Sequence, residues 1–317
     1  MALISVPPSY QFLSSGEVLI FFVFSPLPKR RIAAEPSIGV RRVKRLPAFA
    51  AALFLCLPVI AQQPYHQSSP ERQTAVEKDW GVWLGPFRAK LVPKLMEDFG
   101  EQYIYAPLNA KLPPPAPGEG RVVFYGDSIT DLWNLPVFFP GKPYINRGIG
   151  SQVTAQLVLR FHSDVVALHP RAVVILAGVN DVQGFLQQMS LEQIEANFAA
   201  MEEMARANRI HVIFCSVLPV NNYTDNAKTV LEDRHPEELR QLNAWLKSYA
   251  ASHHAGYVDY YTPLADEHGL LRRELTHDGI HPTAEGYAIM APLAQKAIDE
   301  ALQAADAAQP PAAPSPR

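Results

Sequence analysis

The distribution of apolar and polar positions changes character at residue 121. From there on, short β-rich apolar runs recur at residues 121–125, 144–147, 171–177, 210–218 and 256–260. Longer stretches with helical spacing lie between or after them, at 153–168, 191–208, 236–253 and 283–304. The short runs read as strands and the long periodic stretches as helices. The second helix opens with a capping box, Ser190 followed three residues on by Gln193. Strands separated by helices predict βαβ units, and hence an α/β domain over 121–304 with a parallel sheet covered by helices on both faces. Ligands of such sheets bind beyond the carboxyl ends of the strands, so the residues following each apolar run are the informative ones.

The flanks read differently. Residues 62–120 read as a helical arm interrupted by Gly85, Pro86 and Pro93 that ends in the stiff connector "KLPPPAPGEG". Residues 40–61 have the pattern of a secretory signal: a basic start (Arg41, Arg42, Lys44, Arg45), an apolar run of about 15 residues, and Val59 and Ala61 at the cleavage positions. That run falls short of the roughly 20 residues needed to span a bilayer, so export with cleavage near Ala61 is expected rather than a stable membrane span. A leader of 39 residues is unusual before such a signal, and the reading adopted is that translation starts near Val40. The tail 305–317 is low in complexity and expected to be disordered.

Composition narrows the partners. The 317 residues are 48% hydrophobic and 19% charged, enough for a substantial core. Residues 1–61 hold seven of the 28 Lys/Arg and two of the 31 Asp/Glu, so their removal leaves about eight net negative charges. An acidic exported domain is a poor partner for nucleic acid or anionic lipid, both of which call for clustered Lys/Arg. Of two cysteines, Cys56 lies in the signal segment and Cys215 in an apolar run, so no disulfide is expected.

Polar signals follow four of the five runs. They are Ser128 in "GDSIT", the glycine-rich loop "NRGIGSQVT", Asn180 in "GVND", and "HDGIHP" before the last helix. Acyl transfer requires a nucleophile, a base, a group that orients the base, and donors for the oxyanion. Ser128 at a helix start supplies the first, His281 the second, and Asp278, three residues earlier, the third. Backbone N–H groups of the glycine-rich loop and the carboxamide of Asn180 supply the donors.

In their residues and order these four blocks closely resemble those of the SGNH hydrolases, also called GDSL esterases and lipases, over roughly 121–304. The resemblance implies a flavodoxin-like three-layer sandwich with five parallel strands in the order 2-1-3-4-5. It implies Ser128 as nucleophile, His281 as base, Asp278 as its partner and Asn180 as oxyanion donor. The family usually has glycine where this chain has Ser151; a backbone N–H is the donor there, so Ser151 is assigned, with Gly150 as the alternative.

Competing readings are weaker. His277 and His281, spaced i, i+4 with Asp278 between them, suggest metal ligands, but a third ligand at convincing spacing is missing and the serine block stays unexplained; neither metal nor organic cofactor is expected. Asp127 reads as a structural hydrogen-bonding residue, Asp181 as a cap for the loop or helix after Asn180. Trp133, Phe138, Phe139 and Tyr223 are candidates for a pocket lining or for packing. The expected activity is an exported serine esterase acting on short acyl or acetyl esters, including esters of carbohydrate. Lysophospholipase or thioesterase activity is the alternative within the family. A catalytically weak carbohydrate- or lipid-binding protein is the alternative of another class.

Overall fold

The computed structural model describes residues 93–307 apart from Gln187, and the side chains of Asp233 and 305–307 are likewise not described. The leader, the signal segment, the arm up to residue 92 and the tail from 308 lie outside the described residues.

Five strands form one parallel sheet, β1 (Val122–Gly126), β2 (Tyr144–Gly148), β3 (Ala172–Leu176), β4 (His211–Cys215) and β5 (Gly256–Val258), in the order β2-β1-β3-β4-β5. This is the order that the sequence resemblance implied. β1 and β3 are buried at every residue, whereas the edge strands β2 and β5 are only partly covered. Central strands covered on both faces read as unbroken apolar runs, which is why β1 and β3 are Val-rich. The helices that frame the sheet and the site are α1 (Ser128–Asp131), α2 (Thr154–Asp164), α3 (Val179–Val182), α4 (Leu191–Ala207), α5 (Pro236–Ser252) and α6 (Ala284–Ala307); single-turn helices also lie at Ala106–Asn109, Leu135–Phe138, Val230–Asp233 and Tyr261–Leu264. α2, α4 and α5 pack in a row along one face, and α6 crosses β3, β4 and β5 to form the layer on the other.

Boundaries differ from expectation in physically readable ways. β4 was expected to continue to 218 but ends at Cys215. Beyond it, the main chain of Val217 is taken by a side chain of α5: its N–H donates to Asn243 Oδ1 (2.7 Å) and its carbonyl accepts from Asn243 Nδ2 (2.9 Å). β5 stops at Val258, because the N–H groups of Tyr260 and Tyr261 both donate to Ser216 Oγ at 2.8 Å. α2 ends at Asp164 and passes into a 3-10 turn at Val166–Leu168. α6 runs three residues past the expected 304.

Two glycines are required where the chain turns toward the site. A Cβ on Gly126 would collide with Leu176 O and Thr130 Oγ1, and one on Gly148 with the backbone of Asp131. α1 is therefore pressed directly onto the ends of β1 and β2. Trp133 and Phe139 belong to the core, 1% and 4% exposed, packed with Phe124 and with each other. Of the four aromatic candidates, these two are packing residues, and Phe138 and Tyr223 are half-buried.

Candidate active site

Ser128 begins α1 at the end of β1, one residue after the buried Asp127, whose Oδ1 accepts from Ile129 N–H at 3.0 Å and caps the helix. Ser128 is itself 4% exposed. Its Oγ lies 2.8 Å from Nε2 of His281, and Nδ1 of His281 lies 2.6 Å from Oδ2 of Asp278. The residues come together across 153 positions of sequence because β1 and the turn before α6 end at the same edge of the sheet.

Asp278 holds the imidazole from below its own turn. Oδ1 accepts from the N–H groups of Ile280 (3.0 Å) and His281 (2.9 Å) and from Thr276 Oγ1 (3.2 Å). Burial alone would raise this carboxyl, but the charge of His281 and these hydrogen bonds outweigh it and hold Asp278 below the usual carboxylate range. The tight turn closes on Gly279, at φ 81°, where a side chain would strike the backbone of Asn221. Both ring nitrogens of His281 are thus engaged within the triad of residues, and His277 is exposed to solvent. That geometry does not suit His277, Asp278 and His281 as a metal cluster, and the described residues contain no group of three or more His, Cys, Asp or Glu placed to hold a metal ion.

The glycine-rich loop passes beside Ser128. Gly150 faces it closely enough that an added Cβ would sit 3.8 Å from Ser128 Cβ. Ser151 adopts φ 71°, the left-handed conformation that favours glycine, and its buried hydroxyl has no hydrogen-bond partner among the described residues. Asn180, 5% exposed in α3, donates from Nδ2 to the carbonyl of Gln152 at 3.0 Å. So the carboxamide is joined to the residue after Ser151 and retains a second N–H. Asn146 supports the other side: its Nδ2 donates to Thr130 O (2.6 Å) and Trp133 O (3.1 Å), and its Oδ1 accepts from Gly148 N–H (2.8 Å).

Asp181 caps a different helix from the one expected. Its carboxylate accepts from Thr154 N–H at 2.9 Å and Thr154 Oγ1 at 2.5 Å, at the start of α2. The first residue of α2 would otherwise leave that N–H unmet, since the preceding residue is Val153 and offers no side-chain acceptor. Sequence reading also missed Gln152 and Arg160, both wholly buried behind the loop. A charged residue inside the apolar face of α2 was the available signal for Arg160; Gln152 left none.

Burial pushes Asp127 up to about 7, although Ile129 N–H and His281 act in the opposite direction. Burial likewise pushes Asp181 up to about 6, against its hydrogen bonds from Thr154. Cys215 on β4 is fully buried and pushed up to about 12, which makes its thiol a poor nucleophile. An apolar groove of about 510 Å³, lined by Val137, Phe138, Lys142 and Ala291 among others, includes none of the five candidate residues.

A doubly wound parallel sheet with serine, histidine and aspartate in one hydrogen-bonded chain at its carboxyl edge defines the hydrolase class of α/β proteins. The chain belongs to the GDSL-like lipase/acylhydrolase family, the SGNH hydrolases, a family of ester hydrolases; the family profile matches residues 124–289. Among solved structures it is similar to a candidate acylhydrolase from Bacteroides fragilis NCTC 9343, with 38% identity and a TM-score of 0.61 over 65% of this chain and 99% of that one. It is also similar to a GDSL-like lipase from Bacteroides thetaiotaomicron VPI-5482, with 40% identity and a TM-score of 0.60 over 64% of this chain and all (100%) of that one. No curated protein matches the chain. No helix among the described residues is long and apolar enough to cross a membrane.

Proposed function

We propose that this chain is an exported serine esterase that hydrolyses short acyl or acetyl esters, including esters of carbohydrate, through an acyl-enzyme. The observation that carries the reading is the continuous chain from Ser128 Oγ through His281 to Asp278, with links of 2.8 and 2.6 Å. In this reading Ser128 Oγ attacks the ester carbonyl while His281 Nε2 takes its proton. The tetrahedral oxyanion accepts hydrogen bonds from the N–H of Ser151, or of Gly150, and from Asn180 Nδ2. The ester C–O bond then breaks as His281 returns the proton to the leaving alcohol. Water repeats the sequence on the acyl-enzyme, releasing the carboxylic acid and restoring Ser128.

The preference for short acyl groups rests on the packed state of the longest polar connector, 219–235. Val220 and Asn221 are buried, Asn221 donates to Leu271 O at 2.7 Å, and Arg234 donates to Gln183 Oε1 at 2.5 Å. Asn221 N–H also donates to Gly279 O (2.9 Å) beside the Asp278–His281 turn, and a connector packed at both ends favours a rim of the cleft over a lid closing on a long chain. The export part of the reading rests on the signal pattern at 40–61. Ser128→Ala is expected to lower kcat on p-nitrophenyl acetate by about 10⁴-fold or more with circular dichroism unchanged. A folded variant with a tenth of the activity overturns the serine mechanism. A p-nitrophenyl ester series should peak at acetyl to butyryl, and a peak at long chains overturns the short-acyl preference alone.

A further inference from the structure

Behind the glycine-rich loop, away from the cleft, Gln152 is a hub with no solvent exposure. Its carbonyl accepts from Asn180 Nδ2 (3.0 Å). Its side-chain Oε1 accepts from Arg160 Nε (2.6 Å), and its Nε2 donates to Gly100 O (3.2 Å) and to Glu101 Oε2 (3.1 Å). Gly100 and Glu101 precede the sheet by some twenty residues and belong to the arm. Glu101 is 4% exposed and sits at φ 52°, so its carboxylate is turned inward by a backbone conformation that costs a non-glycine residue on the order of 1 kcal/mol.

The same arm grips the loop at further points. Gln156 donates to Phe99 O (2.8 Å) while accepting from Val153 N–H (3.1 Å). Tyr105, fully buried, donates to Gly148 O (2.6 Å), and Asn109 Oδ1 accepts both Nε and Nη2 of Arg147 (3.0 and 2.8 Å). Arg160 ties the hub to the serine side, donating from Nη2 to Gly126 O (3.0 Å) and from Nη1 to Arg147 O (2.8 Å).

We infer that the arm, acting through the Glu101–Gln152 contact, is a positioning device for the oxyanion side of the site. This role presupposes the esterase activity proposed above. Residue 151 is held in a left-handed conformation between Gly150 and a Gln152 that cannot rotate, and Asn180 takes its orientation from the Gln152 carbonyl. Gln152 and Glu101 are thus positioning residues; neither is placed to touch the substrate. A contact that only stabilised the fold would change melting temperature and leave turnover per folded molecule intact. A positioning contact changes kcat, because the oxyanion forms only in the transition state.

The test is steady-state kinetics on p-nitrophenyl acetate with the full chain, with melting temperature measured alongside. Gln152→Ala and Glu101→Ala should each lower kcat by about tenfold to 100-fold, with KM changed less than about twofold. Glu101→Gln, which keeps an acceptor for Gln152, should recover most of what Glu101→Ala loses. Gln152→Glu sets a carboxylate against Glu101 and against the Gly100 carbonyl and should lose activity; adding Glu101→Gln gives the new carboxylate a donor again, though not at Gly100 O, and should raise kcat severalfold over Gln152→Glu alone. Because the swapped pair conserves volume, it remains informative where Gln152→Ala does not fold. Folded alanine variants with normal kcat and lowered melting temperature overturn the inference, as does a swapped pair no better than Gln152→Glu alone. If Ser128→Ala retains activity, the esterase reading fails instead, and the two failures are told apart by that one variant.

Discussion

Ser151 combines two local costs, a left-handed backbone at φ 71° and a buried hydroxyl without a hydrogen-bond partner among the described residues. The first is worth about 1–2 kcal/mol against glycine and the second about 1–3 kcal/mol. Glycine would regain part of both while losing roughly 0.5–1 kcal/mol to the greater freedom of its unfolded chain. Ser151→Gly is therefore expected to stabilise the protein by about 1–2 kcal/mol, read as a higher urea midpoint with an unchanged slope. The N–H is kept, so activity should stay within about twofold if that N–H is what the site uses. A stabilised variant with activity down tenfold would mean that the hydroxyl itself meets the substrate.

At the scale of elements, the junction of β4 and α5 depends on one side chain. Asn243 meets both main-chain groups of Val217, and both residues are buried. Asn243→Ala leaves a buried N–H and a buried carbonyl unmet, at about 1–3 kcal/mol each. The expected loss is on the order of 3 kcal/mol, measurable as a lower urea midpoint; an unchanged midpoint would mean that solvent reaches the junction. This same junction shows where sequence reading stops. Residues 210–218 are apolar throughout, and periodicity carries no trace of a distant asparagine that takes over the hydrogen bonding after Cys215. β1 and β3 were legible because burial on both faces writes itself as an unbroken Val-rich run. The residues of the Ser128, Asn180 and Asp278–His281 blocks were legible because each follows a strand or precedes a helix, where chemistry and local pattern coincide. Gln152, Glu101 and the role of Asp181 were not, since their partners lie 27 to 51 residues away and a lone polar residue on a loop or helix reads as solvated.

For the whole molecule, the buried carboxyls set how stability varies with pH. Asp127 is fully buried, and its Oδ2 has no hydrogen-bond partner among the described residues; burial pushes it from 3.8 up to about 7. A carboxyl raised on folding means that the native state binds more protons than the unfolded chain across that interval, so stability falls as pH rises from about 4 to 7. Asp181 acts in the same direction up to about 6, and Asp278, held low, acts oppositely in acid. These contributions persist in an Asp127 variant, altered only by the loss of its coupling to Asp181 and His281, so the difference between the two reports mainly on Asp127. Asp127→Asn resembles the protonated carboxyl in shape and still accepts from Ile129 N–H through Oδ1. At pH 4 the two proteins should therefore melt together. By pH 8 the wild type carries a buried charge and the variant does not, a difference with an upper bound on the order of 4 kcal/mol. Calorimetry between pH 4 and 8 should show the variant's melting temperature rising above that of the wild type progressively from about pH 5. A gap of constant size across the range would show that Asp127 does not change protonation there, and that water or a neighbouring group meets its second oxygen.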